Sequence, residues 1–105
     1  TLSEAQKGLR AKHFSAVELT QAFIQRMAEK RDLNAYITET PDHALKQANV
    51  SDQLLAKGEG RLLEGLPLGI KDLFCTRGIR TTAGSKILGN FLPPYESTVT
   101  DNLLK

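Results

Sequence analysis

A chain of 105 residues makes one domain at most, with a modest core, and its 40% hydrophobic and 25% charged content excludes wholesale disorder. A formal charge of +2, with no long run of lysine and arginine, gives no argument for a nucleic-acid partner. No apolar run approaches a membrane span, and the single cysteine, Cys75, excludes an internal disulfide and suits a reducing, cytoplasmic compartment.

Ser3 followed by Gln6 has capping-box spacing and predicts a short helix toward Arg10, with Gly8 weakening its centre. A second helix is signalled by the Ser15 and Glu18 capping box, with Phe14 and Leu19 at the staple positions. Leu19, Phe23 and Met27 recur at four-residue spacing beside Ala16, Thr20 and Ile24, a stripe that requires a partner surface. The charge run from Glu29 to Asp32 reads as a solvated helix end. Residues 35–40 alternate and are rich in β-branched and aromatic side chains, which predicts a short strand.

Thr40-Pro41-Asp42 supplies a cap, a proline at the first helical position and an early acid. The helix it opens runs to about Lys57 and stops at Gly58, and its small residues Ala44 and Ala48 allow a neighbour to approach closely. His13 and His43 sit near helix starts with no acid or cysteine at ligand spacing, so they read as surface residues. Leu66 to Ile70 is short, apolar and bounded by Gly65, which predicts a buried strand with Pro67 at its rim. Gly78 then builds a turn over Thr76 to Arg80. Pro93-Pro94 forces an extended segment, and Ser97 or Thr98 caps a final helix through Val99, Leu103 and Leu104. Thr1 in place of a methionine, and a helical pattern still running at Lys105, are read as a piece of a longer protein.

Lys71 stands at the exit of the second predicted strand and has three ordinary readings. It is a solvated lysine, an anion-binding charge, or a general base whose pKa is lowered by desolvation. A lysine base of the last kind activates a serine hydroxyl, as in Ser-Lys variants of the serine triad. In a strand, Lys71 and Asp72 point to opposite faces, so Asp72 is not automatically its ion-pair partner. A phosphate-loop reading of Gly65 to Lys71 fails. Lys71 does not directly follow Gly69, and Asp72 stands where a magnesium-binding hydroxyl belongs. Ser85, in Ala83-Gly84-Ser85-Lys86, lacks the second glycine of a nucleophile elbow and reads as structural or substrate-facing. Cys75 has no setting that lowers a thiol pKa and reads as inert.

The blocks Gly65-Leu66-Pro67-Leu68-Gly69-Ile70-Lys71-Asp72, Cys75-Thr76-Arg77-Gly78 and Thr81-Thr82-Ala83-Gly84-Ser85 together resemble the first conserved block of the amidase signature family. The continuation from Asn90 to Val99, with Ser15 to Leu19 and Leu33 to Tyr36 upstream, resembles the branch serving as glutaminase subunit of tRNA-dependent amidotransferases. The resemblance implies an α/β fold, a mixed sheet sandwiched between helices. Residues 1–60 would be mainly helical scaffold and residues 61–105 the start of the core, with helices followed by short strands.

It further implies that Lys71 is the lysine of a Ser-cis-Ser-Lys triad, with both serines absent from this chain, so that these residues alone are inactive. No cofactor or metal is implied for the chain itself. ATP and magnesium would be used by a partner subunit of a heterotrimer with subunits B and C, acting on glutamine and Glu-tRNA(Gln). The rival readings are a stand-alone amidase of the same family and a non-catalytic interaction module.

Overall fold

The computed structural model describes residues 1–105. Four α-helices follow in order: α1 (Leu2–Arg10), α2 (Ala16–Glu29), α3 (Pro41–Lys57) and α4 (Thr98–Leu104), with a single 3-10 turn at Arg31–Leu33. The chain gathers into two compact units, residues 1–34 with 40–68, and residues 35–39 with 69–105.

In the first unit α1 begins at a capping box, but one built two residues earlier than the Ser3 and Gln6 spacing predicts. Thr1 Oγ1 accepts from the Glu4 amide at 3.3 Å, and the Glu4 carboxylate reaches back to Thr1. Gln6 is spent elsewhere, donating its side-chain amide to the Leu62 carbonyl at 2.5 Å. The helix closes with Lys12 N bonded to Leu9 O at 3.1 Å and His13 N to Gly8 O at 2.9 Å, the paired bonds of a Schellman motif. Lys12 takes the left-handed position there, at φ 57. Gly8 proves to be a close approach rather than a weak point. A Cβ at Gly8 would lie 2.5 Å from the Phe14 ring.

α2 starts where its sequence predicts, with Ser15 Oγ accepting from Glu18 N at 3.0 Å and the Glu18 carboxylate accepting from Ser15 N at 2.8 Å. α3 also keeps its predicted bounds. It ends on Gly58 at φ 76, although the Thr40 side chain makes no capping bond. The two helices pack through small residues. Ala16 and Ala48 are buried, and with Leu9 they centre a core flanked by Phe14, Val17, Leu19, Leu55 and Leu66. The predicted stripe on α2 is only partly covered: Thr20 is buried, whereas Phe23 is 57% exposed. His13 and His43 are both exposed.

Neither predicted strand forms. Residues 35–39 and 66–70 belong to no ladder, and the one β-type pairing is an isolated antiparallel bridge between Thr76 and Ile79. A strand exists only through a partner's N–H and C=O groups, and an apolar alternation cannot supply them. Ile37, Leu68 and Ile70 consequently stay exposed instead of facing a core. Residues 35–39 are instead tied to Arg80: its guanidinium donates to Ile37 O at 2.8 Å, and Thr38 Oγ1 donates to Arg80 O.

The rest of the second unit is loop held by specific bonds. Gly78 (φ 71) turns the chain so that Ile79 N reaches Thr76 O at 3.0 Å, while Gly78 N donates to Pro93 O at 2.9 Å. Pro93 is fully buried, and the segment after it leads to Ser97, which caps α4 by accepting from Thr100 N.

Candidate active site

Lys71 opens a tight turn. Its carbonyl accepts from Leu73 N at 2.8 Å and from Phe74 N at 3.0 Å, and its side chain is exposed. The expected buried strand exit is therefore an irregular, solvent-facing one within these residues.

Asp72 is bonded through its side chain to residues ten and more positions further on. Its carboxylate accepts from Thr82 N at 2.8 Å, from the Thr82 hydroxyl, and from Gly84 N at 3.4 Å. Its carbonyl accepts from Ala83 N at 2.7 Å. The Thr82 hydroxyl foremost, then the Thr82 amide, with smaller help from the Gly84 amide and the Arg80 charge, hold the Asp72 carboxyl below its ordinary pKa against slight burial.

The loop that receives Asp72 is a two-residue left-handed turn. Ser85 N donates to Thr82 O at 2.8 Å, and the intervening Ala83 and Gly84 sit at φ 49 and 71. Gly84 accepts this conformation freely, whereas alanine is strained there by about 1–2 kcal/mol. Such strain persists only where the surroundings over-determine the backbone. Here the bonds from Asp72 and the burial of Thr81 and Thr82 do so. Ser85, the serine weighed as a nucleophile, uses its Oγ to accept from Ile87 N at 3.2 Å. That is a turn-stabilising role.

A second set of bonds ties the 75–79 turn to the segment leading into α4. Arg77 N donates to the Glu96 carboxylate at 3.0 Å, and Cys75 O accepts from Ser97 N at 2.8 Å and from Thr100 Oγ1 at 3.0 Å. The Cys75 sulfur and the Tyr95 hydroxyl lie 3.5 Å apart, and a hydrogen bond that favours the protonated phenol, with the Cys75 charge beside it, raises the Tyr95 pKa. No cluster of three or more His, Cys, Asp or Glu side chains forms a metal-binding group, and both histidines stand apart from Lys71 in sequence.

The sequence pattern singles out Lys71 but not the bonds made by Asp72 beside it. The only trace was the Thr81-Thr82 pair ahead of small residues, ten positions beyond Asp72, a separation that no local rule connects.

A protein-family model described as Amidase matches residues 18–105. Curated relatives, each named as the A subunit of glutamyl-tRNA(Gln) amidotransferase, match nearly the whole chain. That of Azorhizobium caulinodans is 61% identical over 103 residues, 98% of this chain and 21% of the relative. That of Gluconobacter oxydans is 64% identical over 107 residues, 100% of this chain and 21% of the relative. That of Hyphomonas neptunium is 60% identical over 103 residues, with the same 98% and 21% shares. The chain thus spans about a fifth of the length of the curated relatives it matches. No helix of the chain is long and apolar enough to cross a membrane.

Proposed function

Because this chain belongs to the amidase family, we propose that it forms the N-terminal part of the glutaminase subunit of a glutamyl-tRNA(Gln) amidotransferase. The identity of 60% and above across the whole chain to relatives bearing that name carries the reading. The full protein would have the α/β architecture of its family, to which these residues contribute helices and the loops around Lys71.

In this reading Lys71 is the lysine of a Ser-cis-Ser-Lys triad. No Gly-Ser-Ser-Gly-like segment occurs in the 105 residues, so both serines come from other parts of the full-length protein. With them in place, Lys71 takes the proton of the nucleophilic serine by way of the cis-serine as that serine attacks the side-chain amide of glutamine. The proton is returned to the leaving nitrogen, ammonia departs, and water releases glutamate from the acyl-enzyme. A lysine does this work only when its neutral form is within reach, which calls for apolar surroundings. Residues 1–105 leave Lys71 exposed, so that enclosure too must come from the rest of the protein.

The ammonia would pass to a partner subunit, which uses ATP and magnesium to convert Glu-tRNA(Gln) to Gln-tRNA(Gln), in a heterotrimer of this subunit with subunits B and C. None of the 105 residues is assigned to that nucleotide. The 105 residues alone are expected to release no ammonia from glutamine, since they lack the nucleophile and its oxyanion donors. The test is glutamine hydrolysis by the full-length protein carrying Lys71→Ala. Loss of ammonia release is expected, and wild-type turnover would sink the assignment.

A further inference from the structure

The role proposed for Lys71 leaves its neighbour unused, although Asp72 accepts three hydrogen bonds at its carboxylate. All three of its acceptor oxygens are engaged: one carboxylate oxygen by Thr82 N, the other by the Thr82 hydroxyl and Gly84 N, and the carbonyl by Ala83 N. Every one of these donors lies in a single three-residue stretch. Thr82, which opens that stretch, is buried with 4% of its surface exposed, so it forms a fixed anchor rather than a loop tip.

The hydrogen bonds next to Lys71 lie on one side of it. Before it, residues 66–70 join no ladder, and Leu68 and Ile70 are exposed. After it, the Lys71 carbonyl accepts two amides and the next residue is held at both backbone and side chain. The backbone from which the Lys71 side chain springs is therefore fixed from the Asp72 side.

The geometry points to Asp72 as a positioning residue for the proposed reaction: by gripping Thr82, Ala83 and Gly84 it sets where the Lys71 amine is presented. The inference rests on Lys71 being the triad lysine. A lysine has a long flexible stem, and proton transfer requires an approach of about 2.6–3.2 Å between heavy atoms. A displacement of about 1 Å at such a group costs roughly 100-fold in rate. Fastening the carboxylate to Thr82 has a second effect. It keeps the acid from pairing with the adjacent amine, where it would hold the proton in place.

The experiment uses the full-length protein assembled with its partner subunits, glutamine as substrate, and circular dichroism melts to establish folding. Asp72→Ala and Thr82→Val are expected to lower kcat by about 10- to 100-fold while KM for glutamine stays within about twofold. Asp72→Asn keeps an acceptor for Thr82 N and a donor for the Thr82 hydroxyl, so it is expected to restore most of kcat. In a Lys71→Ala background Asp72→Ala is expected to add no further loss, because a residue acting only through Lys71 has nothing left to position.

Wild-type kcat in folded Asp72→Ala, or an equal loss in both backgrounds, would overturn the inference. If Asp72→Ala does not fold, wild-type kcat in Thr82→Val overturns it. Wild-type turnover in Lys71→Ala instead removes the triad assignment itself, an outcome distinct from a failure of Asp72 alone.

Discussion

The carboxylate of Asp52, in the middle of α3, caps the first turn of α2 at Ala16, 36 residues earlier in the chain. It accepts from Ala16 N at 2.6 Å and from Val17 N at 3.2 Å, while Ser15 takes the next amide, that of Glu18. The donors that a helix start leaves unpaired are therefore met by two side chains from two elements. An acid at this end is also favoured by the helix dipole. Asp52→Ala is expected to lower stability by about 1–2 kcal/mol, with Asp52→Asn milder, read as a shift in the urea midpoint. An unchanged midpoint in Asp52→Ala would show that water replaces the cap without cost.

Glycines at the same left-handed φ differ in what surrounds them, and this separates two kinds of cost. Gly84 (φ 71) has nothing within 4 Å of an added Cβ, so Gly84→Ala is expected to cost only the conformational strain, about 1–2 kcal/mol. At Gly65 (φ 78) the added Cβ would lie 2.9 Å from the Ala16 Cβ and 3.3 Å from Leu55 Cδ1. Gly65→Ala therefore adds overpacking of about 1–3 kcal/mol to the strain. Lys12→Gly, at a left-handed position held by a side-chain residue, is expected to move the other way, by up to about 1 kcal/mol. Thermal melts of the three variants test the order.

Glu64 sets an acid limb to stability. Its side chain is only 5% exposed, and Ser51 Oγ donates to it at 2.5 Å and Arg61 Nε at 2.9 Å. Burial pushes its carboxyl up, but the Ser51 and Arg61 hydrogen bonds and the Arg61 charge outweigh this and leave it below the ordinary value. A carboxyl with a depressed folded pKa stabilises the fold above its unfolded pKa, near about 4.3, and loses that contribution as pH falls through the folded value. Ser51→Ala is expected to cost about 1–2 kcal/mol at neutral pH, with the difference from wild type shrinking below about pH 4. Melting temperatures of both proteins across that range decide it. A gap that stays constant with pH would remove Glu64 from the account.

These contacts show what a single sequence reveals. Features carried by residues three or four apart were legible, because one turn of helix brings them together: the Ser15 and Glu18 box, the Pro41 start, the Gly58 stop and the Ser97 cap. Even there the Ser3 and Gln6 spacing misled, since the box is built from Thr1 and Glu4 and Gln6 is bonded to Leu62. Strand patterns at 35–40 and 66–70 misled for a different reason. Alternation describes a face, not the partner that a ladder needs. Side chains acting across 10 or 36 residues, Asp72 on Thr82 and Asp52 on Ala16, follow no local spacing rule. Lys71 itself was singled out by its place after an apolar run, and its proposed chemistry by resemblance, since its exposed setting here would not have drawn attention.

The central claim is that Lys71 moves a proton rather than merely supplying positive charge. Lys71→Arg in the full-length, assembled protein separates the two, because arginine keeps the charge but does not give up its proton. The account predicts that kcat for glutamine hydrolysis falls by at least about 100-fold, comparable to Lys71→Ala, in a protein that melts as the wild type does. Turnover near wild type in Lys71→Arg would contradict it and leave Lys71 as an anion-binding charge.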